Sequence, residues 1–240
     1  MNYSIQLYSL YDLTDKDLEG VLRTVAEIGY KSVEFAGFFG HSAETVRGWL
    51  DKYGLTCSGT HTVYPAIMND FEGQVAFHKT LGTKDIIIPG FDFSTEDKLD
   101  AFIDFANEYG PKLAAEGLRL SFHNHSKEFI PTAYGKIVED EIINRTNITL
   151  EIDTFWAFNA GKDPVALMDQ LKDRLVFIHV KDGFVGGVGA PLGQGDAPVA
   201  AVYQKAVELG IPMVVESENH QPDSVTEVRT CYEYLKSLEK

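Results

Sequence analysis

Cysteine is scarce in this chain, and long apolar runs are absent from it. The two cysteines, Cys57 and Cys231, are too few for a disulfide scaffold and lack the close spacing of metal-binding thiols. No run of about 18 uncharged apolar residues occurs, and the start MNYSIQLYSLYDL shows no basic region followed by an apolar one. We therefore expect a cytoplasmic protein with inert thiols and no membrane partner.

Basic side chains are also few. Lys and Arg together number 21 against 36 Asp and Glu, which gives a formal net charge of −15 at pH 7. Nucleic acids and anionic membranes attract basic surfaces, so this balance argues against nucleic acid as the main partner. A small molecule is the expected partner, and the composition leaves a homo-oligomer open.

Short apolar segments alternate with longer amphipathic segments along the whole chain. Predicted strands cover residues 3–10, 29–37, 55–62, 85–90, 118–125, 148–155, 175–182 and 213–218. A helix is predicted after each strand. Strict alternation over 240 residues predicts one (β/α)8 barrel domain spanning residues 1–240, with an open doubly wound sheet as the alternative.

Polar residues cluster near the carboxyl ends of the last four predicted strands. In each strand, alternate apolar residues mark the outward face, so the residues between them point into the barrel. The inward residues are Ser121, His123 and His125, then Glu151 and Asp153, then His179 and Lys181, then Glu216 with Glu218. A single polar strand end is usually satisfied by solvent, but a closed barrel brings all four ends to one mouth.

One inward residue from each of these strands makes a candidate ligand set: His123, Asp153, His179 and Glu216. The set offers nitrogen and oxygen atoms without sulfur. Such atoms suit a divalent metal ion such as Mn²⁺, Co²⁺, Zn²⁺ or Fe²⁺. The sequence therefore predicts a divalent metal cofactor, whose identity it leaves unknown.

An ordered series of motifs resembles one known superfamily. The series is GYKSVEFAG in the second strand, HNHSKEF in the fifth, EIDTFWAFNAGKDP after the sixth, HVKD in the seventh, LGQGDAPV before the seventh helix and VVESE in the eighth. It resembles the xylose-isomerase-like TIM barrels grouped as sugar phosphate isomerases/epimerases, a superfamily shared with endonuclease IV and inosose dehydratase. The resemblance covers nearly the whole chain but does not name a substrate.

The resemblance implies a divalent metal at the barrel mouth, held by Glu, Asp, His and Glu from strands five to eight. Asp153, His179 and Glu216 match the last three of these ligands. The fifth strand departs from the pattern, because His123 stands where the family has its glutamate. His123 is still a candidate ligand, but the two-glutamate proton relay of the symmetric epimerases is then incomplete.

The activity that the resemblance implies is that of a metal-dependent sugar isomerase or epimerase. Such enzymes abstract a proton next to a carbonyl through an enediolate held by the metal. Glu216 is predicted to serve one face of the sugar, with His125, Glu128 or Lys181 on the other, and Glu128 is also placed to reach substrate. A lyase or dehydratase acting on a keto-sugar or inosose is the alternative. An endonuclease IV-like nuclease and a non-catalytic sugar-binding barrel are weaker alternatives.

Further polar and aromatic residues are candidates for substrate contact. Glu34 and His61, at the ends of the second and third strands, are predicted to touch a sugar in this fold. Trp156 is either a stacking wall for a sugar face or a packing residue. Lys181 either polarises a substrate oxygen or pairs with Glu151, which makes Glu151 a further candidate at the substrate site.

Overall fold

Eight parallel strands close into a barrel. The computed structural model describes residues 1–239, so Lys240, the last residue of the predicted domain, lies outside the described residues. The barrel strands, numbered one to eight in chain order, are Ser4–Gln6, Ser32–Phe35, Thr56–His61, Asp85–Ile88, Arg119–His123, Thr149–Asp153, Leu175–Val180 and Met213–Val215. Each strand pairs with the next, and the eighth pairs with the first. The predicted (β/α)8 fold is confirmed, and the open sheet is excluded because the order closes.

A principal helix follows each barrel strand. These helices are Leu18–Ile28, Ala43–Tyr53, Phe71–Leu81, Glu96–Ala115, Val138–Arg145, Pro164–Leu171, Val199–Leu209 and Ser224–Leu238. Shorter helical segments are Leu7–Leu10, Tyr11–Thr14, Tyr64–Asn69, Ser126–Phe129 and Thr154–Asn159, and an antiparallel hairpin joins Asp182–Phe184 to Val188–Ala190. No helix within residues 1–239 is both long and apolar enough to cross a bilayer.

The chain after the first strand differs from the sequence-based prediction. The strand predicted over residues 3–10 stops at Gln6, because the Gln6 side chain accepts the Tyr8 backbone N–H at 3.0 Å and starts a helical turn. The next principal helix is capped by Asp17, which accepts the Gly20 N–H at 2.8 Å. The first strand therefore gives way at once to short helical turns at the mouth.

The fifth strand shows how packing fixes which side chains point inward. Phe122 faces the helix Glu96–Ala115, and its ring centroid lies 5.2 Å from that of Phe102 and 5.9 Å from that of Phe93. Successive side chains of a strand point to opposite faces, so this apolar contact directs His123 into the barrel. The orientation of the polar residues thus follows from the burial of their apolar neighbours.

The loop after the seventh strand is built around the buried carboxylate of Asp182. Oδ1 accepts the backbone N–H groups of Gly183 at 2.8 Å and Ala197 at 3.1 Å, and Oδ2 accepts those of Gly193 at 2.9 Å and Gly195 at 3.0 Å. A β-carbon at Gly195 would collide with Asp182 Oδ1. The loop therefore needs both the carboxylate and the glycine.

Replacing Asp182 by alanine should destabilise the fold. The change removes the acceptor of four backbone N–H groups, and each buried group left unpaired costs about 1–3 kcal/mol. We expect the free energy of unfolding of Asp182→Ala, measured in urea, to fall by about 3 kcal/mol or more. Asp196→Asn, a change at an exposed position of the same loop, is the control. Equal urea midpoints for the two variants would contradict this view of the loop.

Glu139 predicts a pH-dependent stability. It is fully buried in the first turn of the helix Val138–Arg145, and neither carboxyl oxygen has a hydrogen-bond partner. Burial raises the pKa of Glu139 to about 8, with a further contribution from the negative charge of Glu128. A carboxyl group whose pKa is higher in the folded state loses stability as pH rises from its unfolded value, near 4.5, through 8.

Glu139→Gln should remove this loss, because the amide stays neutral at every pH. The stability of the variant relative to wild type should rise between about pH 5 and pH 8, by at most about 5 kcal/mol, in thermal or urea unfolding. Asp140→Asn removes an exposed carboxylate at the next position, whose charge contributes only in part to the raised pKa of Glu139, and should give a much smaller change over that range. An equally small change for Glu139→Gln would show that Glu139 is not a buried neutral acid.

Candidate metal centre

His179 is buried inside the barrel and faces two groups of side chains, one with each ring nitrogen. Nε2 lies 2.8 Å from Glu34 Oε1 and 3.2 Å from Glu151 Oε2. Nδ1 lies 3.3 Å from Glu216 Oε2 and 4.0 Å from Asp153 Oδ2. A carboxylate can only accept, so Nε2 donates a proton to the Glu34 side and Nδ1 faces the second pair of carboxyl groups.

We call the residues on the Nε2 side of His179 the carboxylate network: Gln6, Glu34, His61 and Glu151. Gln6 Nε2 donates to Glu34 Oε1 at 2.6 Å. His61 Nε2 lies 3.1 Å from Glu34 Oε1 and 3.0 Å from Glu151 Oε2. The network joins barrel strands one, two, three and six. Three of the predicted substrate contacts, Glu34, His61 and Glu151, are bound to one another within it.

Charges in the carboxylate network compensate each other. Burial raises the pKa of Glu34 and of Glu151, but the neighbouring imidazoles hold both values below the usual range. Burial lowers the pKa of His61, but the two carboxylates raise it to about 9, and they raise that of His179 well above its usual value. Two carboxylates thus face two imidazolium groups, which is the condition for burying such charges. An ion bound at Nδ1 of His179 would displace the proton from that nitrogen and supply the positive charge in its place.

The predicted ligand set lies on the Nδ1 side of His179. Each of its members, His123, Asp153, His179 and Glu216, offers a ligand atom within 4.8 Å of the other three. Asp153 Oδ1 accepts the Trp156 N–H at 2.8 Å, whereas Oδ2 is buried without a hydrogen-bond partner. Burial and the charge of His179 lower the pKa of His123 to about 3, so this imidazole is neutral and keeps a lone pair. The cluster could hold a metal ion.

An overlapping group, His61, His123, Glu151 and His179, also has the composition of a metal site. Its imidazoles are already directed at Glu34 and Glu151, so binding an ion there would break the pairing of the carboxylate network. A histidine ligand usually donates its other N–H to a carboxylate, which fixes the ring for the metal. We infer that the ligand set with the unpartnered Asp153 oxygen fits a divalent ion, and that the carboxylate network supports it from behind.

Lys181 is buried beside the ligand set. Its Nζ lies 3.2 Å from Glu216 Oε2 and also pairs with Glu218, so the alternative of a pair with Glu151 is not realised. The same Nζ lies 4.8 Å from the centroid of the Trp156 ring. Burial lowers the pKa of Lys181, but the charges of Glu216 and Asp153 raise it above the usual value, so the side chain is a cation.

His125 and Trp156 form a half-buried aromatic wall near the ligand set. Their ring centroids lie 6.0 Å apart, and the His125 ring lies 5.1 Å from that of His123. Glu128, predicted to reach substrate, is fully buried and accepts the His125 backbone N–H at 2.9 Å. Burial lowers the pKa of His125 to about 4, so its ring is neutral at pH 7. Trp156 Nε1 is buried without a partner.

Sequence reasoning missed two residues that shape the centre. Gln6 lies between Ile5 and Leu7 in the first predicted strand, and the sequence signal for it was its place on the inward phase of that strand. Asn124 lies on the outward phase, between the two histidines of HNH. Its Oδ1 accepts the Asp153 N–H at 3.0 Å, and its Nδ2 donates to the Asp153 carbonyl at 3.4 Å. Asn124 thereby fixes the backbone that carries the Asp153 carboxyl group.

A closed (β/α)8 barrel with a buried histidine and carboxylate cluster at the carboxyl ends of its strands defines a TIM barrel with a candidate metal centre. Residues 22–238 match the family model of the xylose isomerase-like TIM barrel. The chain belongs to this family, as its motifs predict.

Several relatives carry names that specify an activity. An inosose dehydratase of Geobacillus kaustophilus is 21% identical over 187 residues, which are 68% of this chain and 61% of that relative. The chain thus spans about three fifths of the length of that curated relative. A sugar phosphate isomerase/epimerase of Parabacteroides distasonis superimposes with a TM-score of 0.85 at 24% identity, covering 97% of this chain and 96% of that one.

A probable 3-DHS dehydratase, AsbF of Bacillus anthracis, superimposes with a TM-score of 0.77 at 12% identity, covering 98% and 99% of the two chains. At such identities the two structural matches establish the fold. They do not identify the reaction of this chain, which must be inferred from its own residues.

Metal titrations of two variants distinguish the ligand set from the overlapping group. We expect wild-type protein to bind about one divalent ion per chain. Asp153→Ala, which affects only the ligand set, should bind Mn²⁺ or Zn²⁺ at least about 100-fold more weakly in calorimetric titrations. His61→Ala, which removes a ligand atom only from the overlapping group, should keep one ion, with a smaller loss of affinity through the carboxylate network. Loss of the ion in His61→Ala with retention in Asp153→Ala would reverse the assignment.

Proposed function

We propose that the chain is a metal-dependent lyase of the dehydratase type that acts on a keto-sugar. The observation that carries this proposal is the asymmetry of the proton-transferring groups around the ligand set. A symmetric epimerase needs matched carboxylates on two faces of the sugar, whereas the fifth strand provides His123 and the eighth provides Glu216 paired with Lys181. An elimination needs one base and one acid, which are chemically different groups.

His123, Asp153, His179 and Glu216 would hold the divalent ion. A bound ion supplies a Lewis acid for the substrate carbonyl oxygen. The chain orients the sugar beside it through the Trp156 ring and through its Nε1–H, a buried donor that has no partner among residues 1–239. Both observations favour a polar ligand with a flat apolar face, as a sugar ring has.

His125 is the proposed base, and Lys181 is the proposed acid. The neutral, half-buried His125 ring accepts the proton from the carbon beside the carbonyl, and Glu128 holds the backbone that presents this ring. The Lys181 cation gives a proton to the oxygen on the next carbon. The C–H bond and the C–O bond break, a carbon–carbon double bond forms and water leaves, so no oxidant or reductant is required.

Two further observations bear on the substrate. Lys181 is the cation in contact with the centre, and it is already paired with Glu216 and Glu218, so a phosphate clamp is lacking among the described residues of the centre. This favours an unphosphorylated sugar. The names of the inosose dehydratase relatives support a keto-cyclitol or keto-sugar and a lyase. An isomerase or epimerase is the second candidate, because its first step uses the same base.

Incubation in D₂O with an inosose and with a panel of ketoses separates these activities. A lyase should give a product lighter by one water that absorbs in the ultraviolet as an enone. An isomerase or epimerase should instead incorporate deuterium beside the carbonyl without loss of water. Neither change with any sugar of the panel would contradict proton abstraction and favour a non-catalytic sugar-binding barrel.

His125→Ala should separate the base from the ligand set. We expect the variant to keep its metal, measured by elemental analysis, and to lose about 10²- to 10⁴-fold in turnover, the usual contribution of one general base. His41→Ala, which removes an exposed imidazole outside the centre, should retain both metal and turnover. If His125→Ala loses its metal, His125 is a ligand, and the base must be sought elsewhere.

A further inference from the structure

Two exposed tyrosine rings and a half-buried histidine ring form a row at the barrel mouth that the proposed reaction does not use. The ring centroids of Tyr8 and Tyr11 lie 5.2 Å apart in a stacked arrangement, and those of Tyr11 and His220 lie 4.8 Å apart. Tyr8 is 46% exposed and Tyr11 is 50% exposed. We call Tyr8, Tyr11 and His220 the aromatic row. Stacked aromatic rings left open to solvent are a feature of ligand-binding surfaces.

Backbone strain is concentrated around the aromatic row. Within residues 1–239, the non-glycine residues with positive φ are Phe39, at 50°, and His220, at 55°. His220 is held in this conformation because Glu227 accepts the backbone N–H groups of its two neighbours, Asn219 at 3.0 Å and Gln221 at 2.9 Å. Residues forced into such conformations cluster at active sites and ligand clamps. His220 Nε2 is also buried without a hydrogen-bond partner.

A groove of about 260 Å³ runs beside the aromatic row. Tyr8, Tyr11 and Phe39 line it, together with small residues such as Ala36. Its one charged lining residue is Asp15, and no Lys or Arg belongs to its lining. A phosphate or carboxylate would find no counter-charge in this groove, so its chemistry suits an uncharged ring.

Hydrogen bonds tie the aromatic row to the candidate metal centre. The Tyr8 backbone N–H donates to Gln6 Oε1 at 3.0 Å, Gln6 Nε2 donates to Glu34 Oε1 at 2.6 Å, and Glu34 lies 2.8 Å from His179. The turn that carries Tyr8 is also tied to the eighth strand end, because Ser9 Oγ accepts the Ser217 N–H at 3.1 Å. The row is therefore fixed relative to the ligand set.

The ligand set and the aromatic row occupy different parts of the mouth. The ligand set and Trp156 come from strands five to eight, whereas the aromatic row and its groove come from the loops after strands eight, one and two. The two regions adjoin at strand eight, which pairs with strand one. A molecule that contacts the ligand set and also rests on Tyr8 would extend along the mouth from strand eight past strand one.

We propose that the aromatic row is a subsite for a second, uncharged ring, so that the substrate is a glycoside and not a single free sugar. The reacting keto-sugar ring lies at the ligand set, and the second ring, a sugar or an aryl group, lies with its flat face on the open side of Tyr8 and its edge beside Tyr11. This inference rests on the proposed function for the reacting ring, but the subsite can be tested by binding alone.

Binding of methyl β-D-glucoside, phenyl β-D-glucoside and cellobiose to the full-length protein tests the subsite. We expect the phenyl glucoside or cellobiose to bind about tenfold more tightly than the methyl glucoside, a difference of about 1.4 kcal/mol, which is within the range of one ring stacking contact. Tyr8→Ala and Tyr11→Ala should remove this preference and leave the affinity for methyl glucoside unchanged. Phe184→Ala, which removes an equally exposed aromatic ring outside the row, should keep the preference.

Saturation-transfer NMR on the wild-type protein provides a second readout that does not depend on the folding of any variant. The second ring of the bound probe should receive the stronger saturation if it lies on the two tyrosines. Equal affinities for all three probes, failure of every probe to bind, or a preference that survives in Tyr8→Ala and Tyr11→Ala would overturn the subsite. Loss of water from a sugar of the panel without a second-ring preference would overturn the subsite and support the lyase. A tyrosine-dependent preference without loss of water from any sugar would support the subsite and contradict the lyase.

Discussion

The division of His179 between two carboxylate groups is the interaction on which the rest of the centre depends. Nε2 is committed to Glu34 at 2.8 Å, which leaves Nδ1 for Asp153 and Glu216. A histidine cannot reverse this arrangement without breaking the charge balance of the buried network behind it. The carboxylate network thus selects the nitrogen that can bind an ion, and with it the face of His179 on which the proposed reaction takes place.

Buried carboxylates also accept hydrogen bonds from the backbone of the loops at the barrel mouth. Asp182 accepts hydrogen bonds from four backbone N–H groups in the loop after the seventh strand. Glu227 accepts two in the loop after the eighth strand, and Glu128 accepts that of His125 after the fifth. Loops held in this way act as extensions of the rigid barrel and not as mobile segments, which is a requirement for holding a base and an acid in place. The aromatic row depends on the same type of interaction, since the hydrogen bonds to Glu227 fix the backbone on both sides of His220.

The sequence could predict the barrel and the inward residues of strands five to eight, because the alternation of apolar and polar residues carries that information directly. It could not predict that Glu34, His61 and Glu151 bind one another, since their pairing depends on the closing of strands far apart in the chain. It also missed the early end of the first strand at Gln6, where a side chain competes for the backbone of Tyr8. Which nitrogen of a histidine faces which partner is a three-dimensional property that no motif records.

The most direct test of this account is the position of a bound ion relative to the ring of His179. A crystal soaked in Mn²⁺ and measured for anomalous scattering should show one peak on the Nδ1 side, between Asp153 and Glu216, with Nε2 still hydrogen-bonded to Glu34. A peak on the Nε2 side, among His61 and Glu151, would contradict the account, because the carboxylate network would then be the metal site and could not support it.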